Sequence, residues 1–391
     1  MELLKTNGNR DYRIQKEVTM NRILKIGMDV HSTNYTLCVA EPKLEGEPDY
    51  LYEVEVEPDY LNIIKVITNL RKKYKDDTLH ITCGYEAGCL GYKLYHQLDN
   101  VGIKCVILAP STMEMPVGKV LKTDKRDARG IAKCLANGGY SAVHVPTAQD
   151  EEIRDYLRMR DDHKKLQKIT KQTINAICLR LGFKYAQSKW TGAHLKWLKD
   201  LPLSELQRET LDEYLLTYNR LADKISRLDA RIGELAAKKE YVEKVSKLCC
   251  FIGIKTQEAL SLIVETGDFS RFPKGNIYSA FIGLTPGEHS SSTDVNRLSI
   301  TKAGNKHIRT VLVEAAQCIC RGRIGAKSKN LQARQRGNAP SVIAYADKAN
   351  ERLRRKYYRM LNKGKQRNVA VTAVARELAC FIWGMITDNI A

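Results

Sequence analysis

The chain has 391 residues, 43% hydrophobic and 28% charged, an ordinary composition for folded globular domains and enough length for two or three of them. Lys and Arg number 64 against 45 Asp and Glu, a net charge of +19, so a polyanion such as nucleic acid is the expected partner: each phosphate neutralised releases condensed counterions. No run reaches the eighteen or so consecutive apolar residues of a membrane span, and the stretch MELLKTNGNRDYRIQKEVTMNR lacks the apolar core of a secretion signal, so the expectation is a cytoplasmic protein with no membrane partner.

From Arg22, RILKIGMDVHSTNYTLCVAEP reads as an apolar strand ending near Asp29, a short turn, and a second strand, YTLCVA. DYLYEVEVEPD alternates apolar and acidic residues like a half-exposed third strand, and short links predict an antiparallel meander. TLHITCGYEAG is a fourth strand leading into GCLGYKLYHQLDNVG, a helix stopped near Asn100 and Gly102, and KCVILAP is a short buried fifth strand. Residues 1–21 stand apart as an N-terminal extension. Residues 22–149 form an α/β domain whose three strands followed by alternating strand and helix are the order of a ribonuclease-H-like fold.

Between 150 and 246 strand signals fade and Leu, Lys, Arg and Glu dominate. Tyr214, Tyr218, Leu221, Ile225, Leu228, Ile232 and Leu235 recur at steps of four and three, a heptad seam. A dimerising or antiparallel coiled coil satisfies that spacing, and so does one helix packed on its own domain.

Residues 247–391 read as mainly helical. In FIGIKTQEALSLIVE a glycine turn precedes a helix and exposes backbone N–H groups that can hold a phosphate, as in helix-hairpin-helix DNA binders. A polar, serine-rich loop, GEHSSSTDVNRLSI, leads into a basic stretch and a helix, and RNVAVTAVARELACFIWGMI is expected to close the domain as an amphipathic helix. The eleven cysteines contain no C-x-x-C pair and sit mostly in apolar runs, so they are expected to be reduced core residues.

Four carboxylates fall at special places: Asp29 at the end of the first strand, Glu86 at the end of the fourth, and Asp124 with Asp127 at the start of the helix after the fifth. In a ribonuclease-H-like sheet the first and fourth strands are neighbours, and i, i+3 positions share a helix face, so all four converge at one edge. Crowded carboxylates repel unless a cation neutralises them, and hard oxygen donors select Mg²⁺ or Mn²⁺. The bland alternative is a wet surface on which Asp124 and Asp127 pair with Lys122, Lys125, Arg126 and Arg129. A second candidate is HSSST at 289–293, where a serine nucleophile would need a nearby base or metal. Serine runs are more often turns or caps. Arg297, Lys302, Lys306 and Arg309 follow this loop and suit phosphate contacts.

IGMDVHS, GYEAG, APSTMEMPVGKVLKTDKRDARGIA and FIGLTPGEHSSSTDVNRLSITKAGNKHIRTVLVEAA together resemble the Asp-Glu-Asp-Asp insertion-sequence transposases of the IS-one-ten type, over about residues 22–383. The resemblance implies an α/β RuvC-like domain, a helical coiled-coil region and a mainly α-helical serine transposase domain. It implies a Mg²⁺ site at Asp29, Glu86, Asp124 and Asp127, and a covalent link between DNA and a serine aligned with Ser291. Family members usually carry glycine after that serine, whereas this chain has Ser292, which leaves Ser290 and Ser292 as alternatives. It also implies double-stranded donor and target DNA, a structured non-coding guide RNA, and a dimer or tetramer. The rival reading is a Holliday-junction-type nuclease whose acids activate water.

Overall fold

The computed structural model describes residues 20–113, 123–291 and 294–390, apart from the side chains of 111 and 289–297. The chain divides into two compact units, with the boundary between Val145 and Pro146.

The first unit holds a five-stranded mixed sheet. Its strands are β1 (Asn21–Val30), β2 (Tyr35–Glu41), β3 (Asp49–Val56), β4 (Thr78–Glu86) and β5 (Cys105–Leu108), in the order β3-β2-β1-β4-β5. β1, β2 and β3 pair antiparallel, while β4 runs parallel to both β1 and β5. The meander and the β1–β4 neighbourhood are therefore as the sequence predicts.

Alternation sorts each strand into two faces. Leu24, Ile26 and Met28 of β1, with Leu37 and Val39 of β2, pack on α1 (Tyr60–Lys73) and α2 (Lys93–Asn100) through Ile63, Val66, Ile67, Leu70, Leu94 and Leu98. α1 is a helix that the sequence analysis does not predict, although Asp59 caps it by accepting from the Leu61 N–H and the buried positions recur at helical spacing. The opposite face is built from small residues: Cys38 and Ala40 meet Ala128 and Ala132 of α3 (Asp124–Asn137). Gly27 on β1 lets α3 lie backbone to backbone on the strand; an added Cβ would stand 2.7 Å from the Ala132 Cα and closer still to the Ala132 N and Ala128 O atoms. Its register partner on β4 is Gly84, so a shallow glycine-floored groove receives the helix.

The second unit is mostly helical. α4 (Ala148–Arg180) and α6 (Glu205–Ala236) form a long antiparallel pair joined through α5 (Gly192–Lys199). At one end Ile153 and Leu157 share a core with Ile232 and Leu235; at the other, Ile174 and Cys178 share a separate cluster with Leu211, Leu215 and Tyr218. Tyr218, Ile225, Ile232 and Leu235 of the predicted seam are buried, whereas Tyr214 is exposed. These seam positions are thus filled by the chain's own α4.

The larger core continues through α7 (Val242–Leu248), α8 (Thr256–Thr266), α9 (Gly275–Phe281), α10 (Lys306–Cys320), α12 (Pro340–Asn362) and α13 (Arg367–Ile386), with α11 (Lys329–Gln335) alongside. The helical region before 246 and the helices after it therefore share one core. α13 closes this core as expected, but it is more uniformly apolar than an amphipathic pattern implies. It is long and apolar enough to cross a membrane by length and composition, yet Val374, Leu378 and Ile382 are fully buried in the core.

The serine-rich segment also differs from its expectation as a loop. β6 (Pro286–Ser291) and β7 (Asp294–Ile300) pair antiparallel, with Ser291 opposite Asp294. Backbone pairing across a short link supplies what these polar side chains do not signal.

Candidate metal centre and serine hairpin

Register places the acids before any side chain is considered. Met28 pairs with Tyr85 at the end of the parallel β1–β4 ladder, so Asp29 and Glu86 follow side by side, on the same sheet face as Gly27 and Gly84. That is the face α3 covers. Thr123 caps α3 by accepting from the Arg126 N–H, putting Asp124 and Asp127 in the first turn, where the helix dipole favours negative charge. The close approach at Gly27 then brings this turn to the end of β1.

Asp29, His31 and Asp124 each offer a ligand atom, all within 4.8 Å of one another. His31 Nε2 lies 3.2 Å from Asp29 Oδ2. Glu86 and Asp127 are outside that tight group, and Glu86 is exposed. The Asp29 carboxyl is held above its usual range chiefly by burial; His31 opposes this, and the charges of Asp127 and Asp124 add to it. A group whose ionised form is disfavoured by burial and by like charges gains most from a bound cation.

The surface ion-pair alternative loses one of its main partners. Arg129 is engaged by Glu53 on β3, and Lys133, one turn on, reaches Glu47. These pairs tie α3 to the sheet edge and leave the aspartates of the first turn out. Among the described residues Asp124 and Asp127 make no ion pair. Lys122 lies outside the described residues.

In the second unit, the side chains of Ser290, Ser291 and Arg297, and Ser292 altogether, lie outside the described residues. The base of their hairpin is described. Gly283 and Gly304, both at positive φ, bring two turns into backbone contact, and the Lys302 N–H donates to the Gly283 carbonyl at 3.1 Å. Asn305 caps α10 by accepting from the His307 and Ile308 N–H groups, and its Nδ2 donates to Glu265 at 2.7 Å. The Glu265 side chain is only 2% exposed and takes a bidentate pair from Arg158, both bonds 2.9 Å. Burial pushes its carboxyl up, but the bonds from Arg158 and Asn305 outweigh that and hold it below the usual range. Lys302 and Lys306 stand exposed on this base, whereas Arg309 spends Nη1 on the Ile282 carbonyl at 2.8 Å.

Residues 26–181 match the family model of the DEDD transposases of IS110 type, described as "Transposase", and residues 246–332 match "Transposase IS116/IS110/IS902 family". The Sinorhizobium fredii protein y4qE, itself named as a transposase, is 32% identical over 93% of this chain and 88% of its own. The transposase of insertion sequence element IS1533 from Leptospira borgpetersenii is 30% identical over 89% of this chain and 99% of its own. This chain belongs to the IS116/IS110/IS902 transposase family. The transposase of IS1111A from Coxiella burnetii, 27% identical, covers 69% of this chain and 76% of its own.

A transposase of this family is a DNA-processing enzyme of an insertion sequence, and its DEDD domain implies a divalent metal ion. The donors fit: two carboxylates and an imidazole converge at a strand end, one carboxylate is unfavourably buried, and among the described residues no Lys or Arg forms an ion pair with either carboxylate. Sequence reasoning missed His31, although its i, i+2 spacing from Asp29 at a strand end was the available signal. It also missed the network of Arg158, Glu265 and Asn305 that seats α10. Those residues are far apart in sequence and follow no motif.

Proposed function

We propose that this transposase cuts and rejoins DNA through a covalent serine–DNA intermediate, with Mg²⁺, or Mn²⁺ in its place, held by Asp29, Glu86, Asp124 and Asp127. The observation that carries the reading is the convergence of Asp29 and Asp124 on the glycine-floored face of a sheet ordered β3-β2-β1-β4-β5. That order supports a RuvC- or ribonuclease-H-like domain. The ion, when bound, supplies charge neutralisation at the phosphodiester and favours ionisation of the attacking hydroxyl.

The chain's own groups do the rest. Ser291 Oγ attacks phosphorus, the bond to O3′ breaks, and the freed 3′-hydroxyl takes up a proton. The resulting phosphoserine bond conserves the energy of the phosphodiester, so reversal onto a second DNA end joins strands without a high-energy cofactor. Ser290 and Ser292 are the alternative nucleophiles. The acids and the serine act on one phosphate, from one chain or from two protomers. Lys302, Lys306, Arg309 and Arg297 hold the flanking phosphates, and the protein works as a dimer or tetramer. The +19 charge suits a structured guide RNA as well as DNA, and the reduced cysteines suit the cytoplasm and nucleoid.

The test is incubation with Mg²⁺, labelled element-junction DNA and the element's non-coding RNA, followed by a denaturing gel. A protein–DNA band lost in both Ser291→Ala and Asp124→Ala is expected. Cutting without such a band, insensitive to Ser291→Ala and lost in Asp124→Ala, would replace this reading with a water-using, Holliday-junction-type nuclease.

A further inference from the structure

We infer that His31 is a nitrogen ligand of the divalent ion at this centre, making the site a mixed imidazole–carboxylate set rather than one of carboxylates alone. The inference rests on the metal reading above and extends it to a residue outside the four acids.

The placement comes from the strand. Asp29 and His31 are two apart at the end of β1, and the His31 N–H donates to the Asn34 carbonyl at 3.0 Å, closing the turn that fixes the backbone just beyond the strand. Nε2 then faces Asp29 Oδ2 at 3.2 Å, and a ring nitrogen joins the Asp124 carboxylate within the same 4.8 Å group. Donors about 2.1 Å from a six-coordinate ion stand about 3.0 Å apart when adjacent and about 4.2 Å apart when opposite. The 3.2 Å between His31 and Asp29 fits the adjacent spacing, and Asp124 lies within 4.8 Å of both, close enough for small side-chain movements to complete the set. His31 is 52% exposed, so ring movement onto an ion meets little resistance from packing.

The competing role for His31 is a charged partner of Asp29 alone. That role explains the 3.2 Å contact but leaves the Asp124 carboxylate, which α3 delivers beside the same ring, without a part. A ligand role explains both. An imidazole also changes metal preference, because nitrogen donors favour Mn²⁺, Co²⁺ and Zn²⁺ over Mg²⁺ more strongly than carboxylates do.

The experiment uses the full chain without DNA. Mn²⁺ is titrated while free aquo-Mn²⁺ is followed by electron paramagnetic resonance, and the bound ion is then examined for ¹⁴N modulation by pulsed methods. Wild type, His31→Gln, Asp29→Asn and Asp124→Asn are compared. We expect ¹⁴N modulation in wild type that vanishes in His31→Gln, with Mn²⁺ affinity falling by about tenfold or more. Mg²⁺ affinity, measured by competition, should fall less. Mn²⁺ that binds through Asp29 and Asp124 but shows no ¹⁴N modulation in wild type overturns the His31 assignment and leaves the acidic site standing. Binding indifferent to Asp29→Asn and Asp124→Asn overturns the site itself, and the His31 assignment with it.

Discussion

Replacing Gly27 by Ala adds one methyl group and no chemistry, yet it should disable the transposase. The new Cβ would lie 2.7 Å from the Ala132 Cα, against an ordinary contact of 3.4 Å or more, and its nearest neighbours are backbone atoms that no rotamer change can move. α3 must therefore retreat by about 1 Å. Overpacking of this size costs about 1–3 kcal/mol, which a domain of this size can survive. The same retreat carries Asp124 and Asp127 away from Asp29, and a misplacement of about 1 Å can cost about 100-fold in rate. Gly84→Ala is the control. There the added Cβ meets the tips of Leu108 and Leu135 at 2.9 Å, which can rotate aside. The assays are thermal unfolding, Mn²⁺ titration and strand cleavage on element-junction DNA. Gly27→Ala should lose Mn²⁺ affinity and cleavage while remaining folded, and Gly84→Ala should keep most of both. A Gly27→Ala protein with wild-type metal affinity and cleavage would refute the account of how α3 delivers its aspartates.

Three further outcomes follow from the charged groups. Arg158→Ala leaves the buried Glu265 carboxylate short of its bidentate partner and should destabilise the second unit by about 3 kcal/mol in denaturant melts. Because the folded Glu265 carboxyl is held below its usual range, its contribution is present above the unfolded carboxylate pKa and is lost as pH falls through the folded value. The gap between wild type and Arg158→Ala should therefore narrow in acid. Asp29→Asn should raise the melting temperature of the metal-free protein at neutral pH. The folded Asp29 carboxyl is held above its usual range, so the stability tied to its proton is lost as pH rises through that value, and the gain should fade below the ordinary carboxylate range. Lys302→Ala with Lys306→Ala should lower the slope of log affinity for duplex DNA against log salt by about 2, read from binding titrations at several salt concentrations.

The strands of the first unit were legible because burial on one face imposes period-two alternation, and the acids because strand ends and a helix start are visible in sequence. α1 is harder to see, since DYLNIIKVITNL continues the apolar character of the strand before it, and the Asp59 cap and the helical spacing of Ile63, Val66, Ile67 and Leu70 mark the change. The β6–β7 hairpin reads as a loop in sequence because its order comes from backbone pairing rather than apolar pattern. The heptad seam was visible, but a heptad does not name its partner; the partner is α4, whose own apolar spacing is diluted by Lys and Gln. Glu265 was invisible as a site residue because its meaning lies in Arg158 and Asn305, 107 and 40 residues away.

The separate cluster at the far end of the α4–α6 pair gives that end its own cooperativity. Ile174, Leu198, Leu211 and Tyr218 hold together without any residue of the larger core, so this cap can melt and reform while the base of the pair stays docked. Hydrogen exchange would divide the two long helices into a fast half and a slow half at a fixed point along their length. The cap is then a natural place to attach a fluorophore or an inserted domain, because disorder introduced there would stop before it reached the helices that seat the serine hairpin.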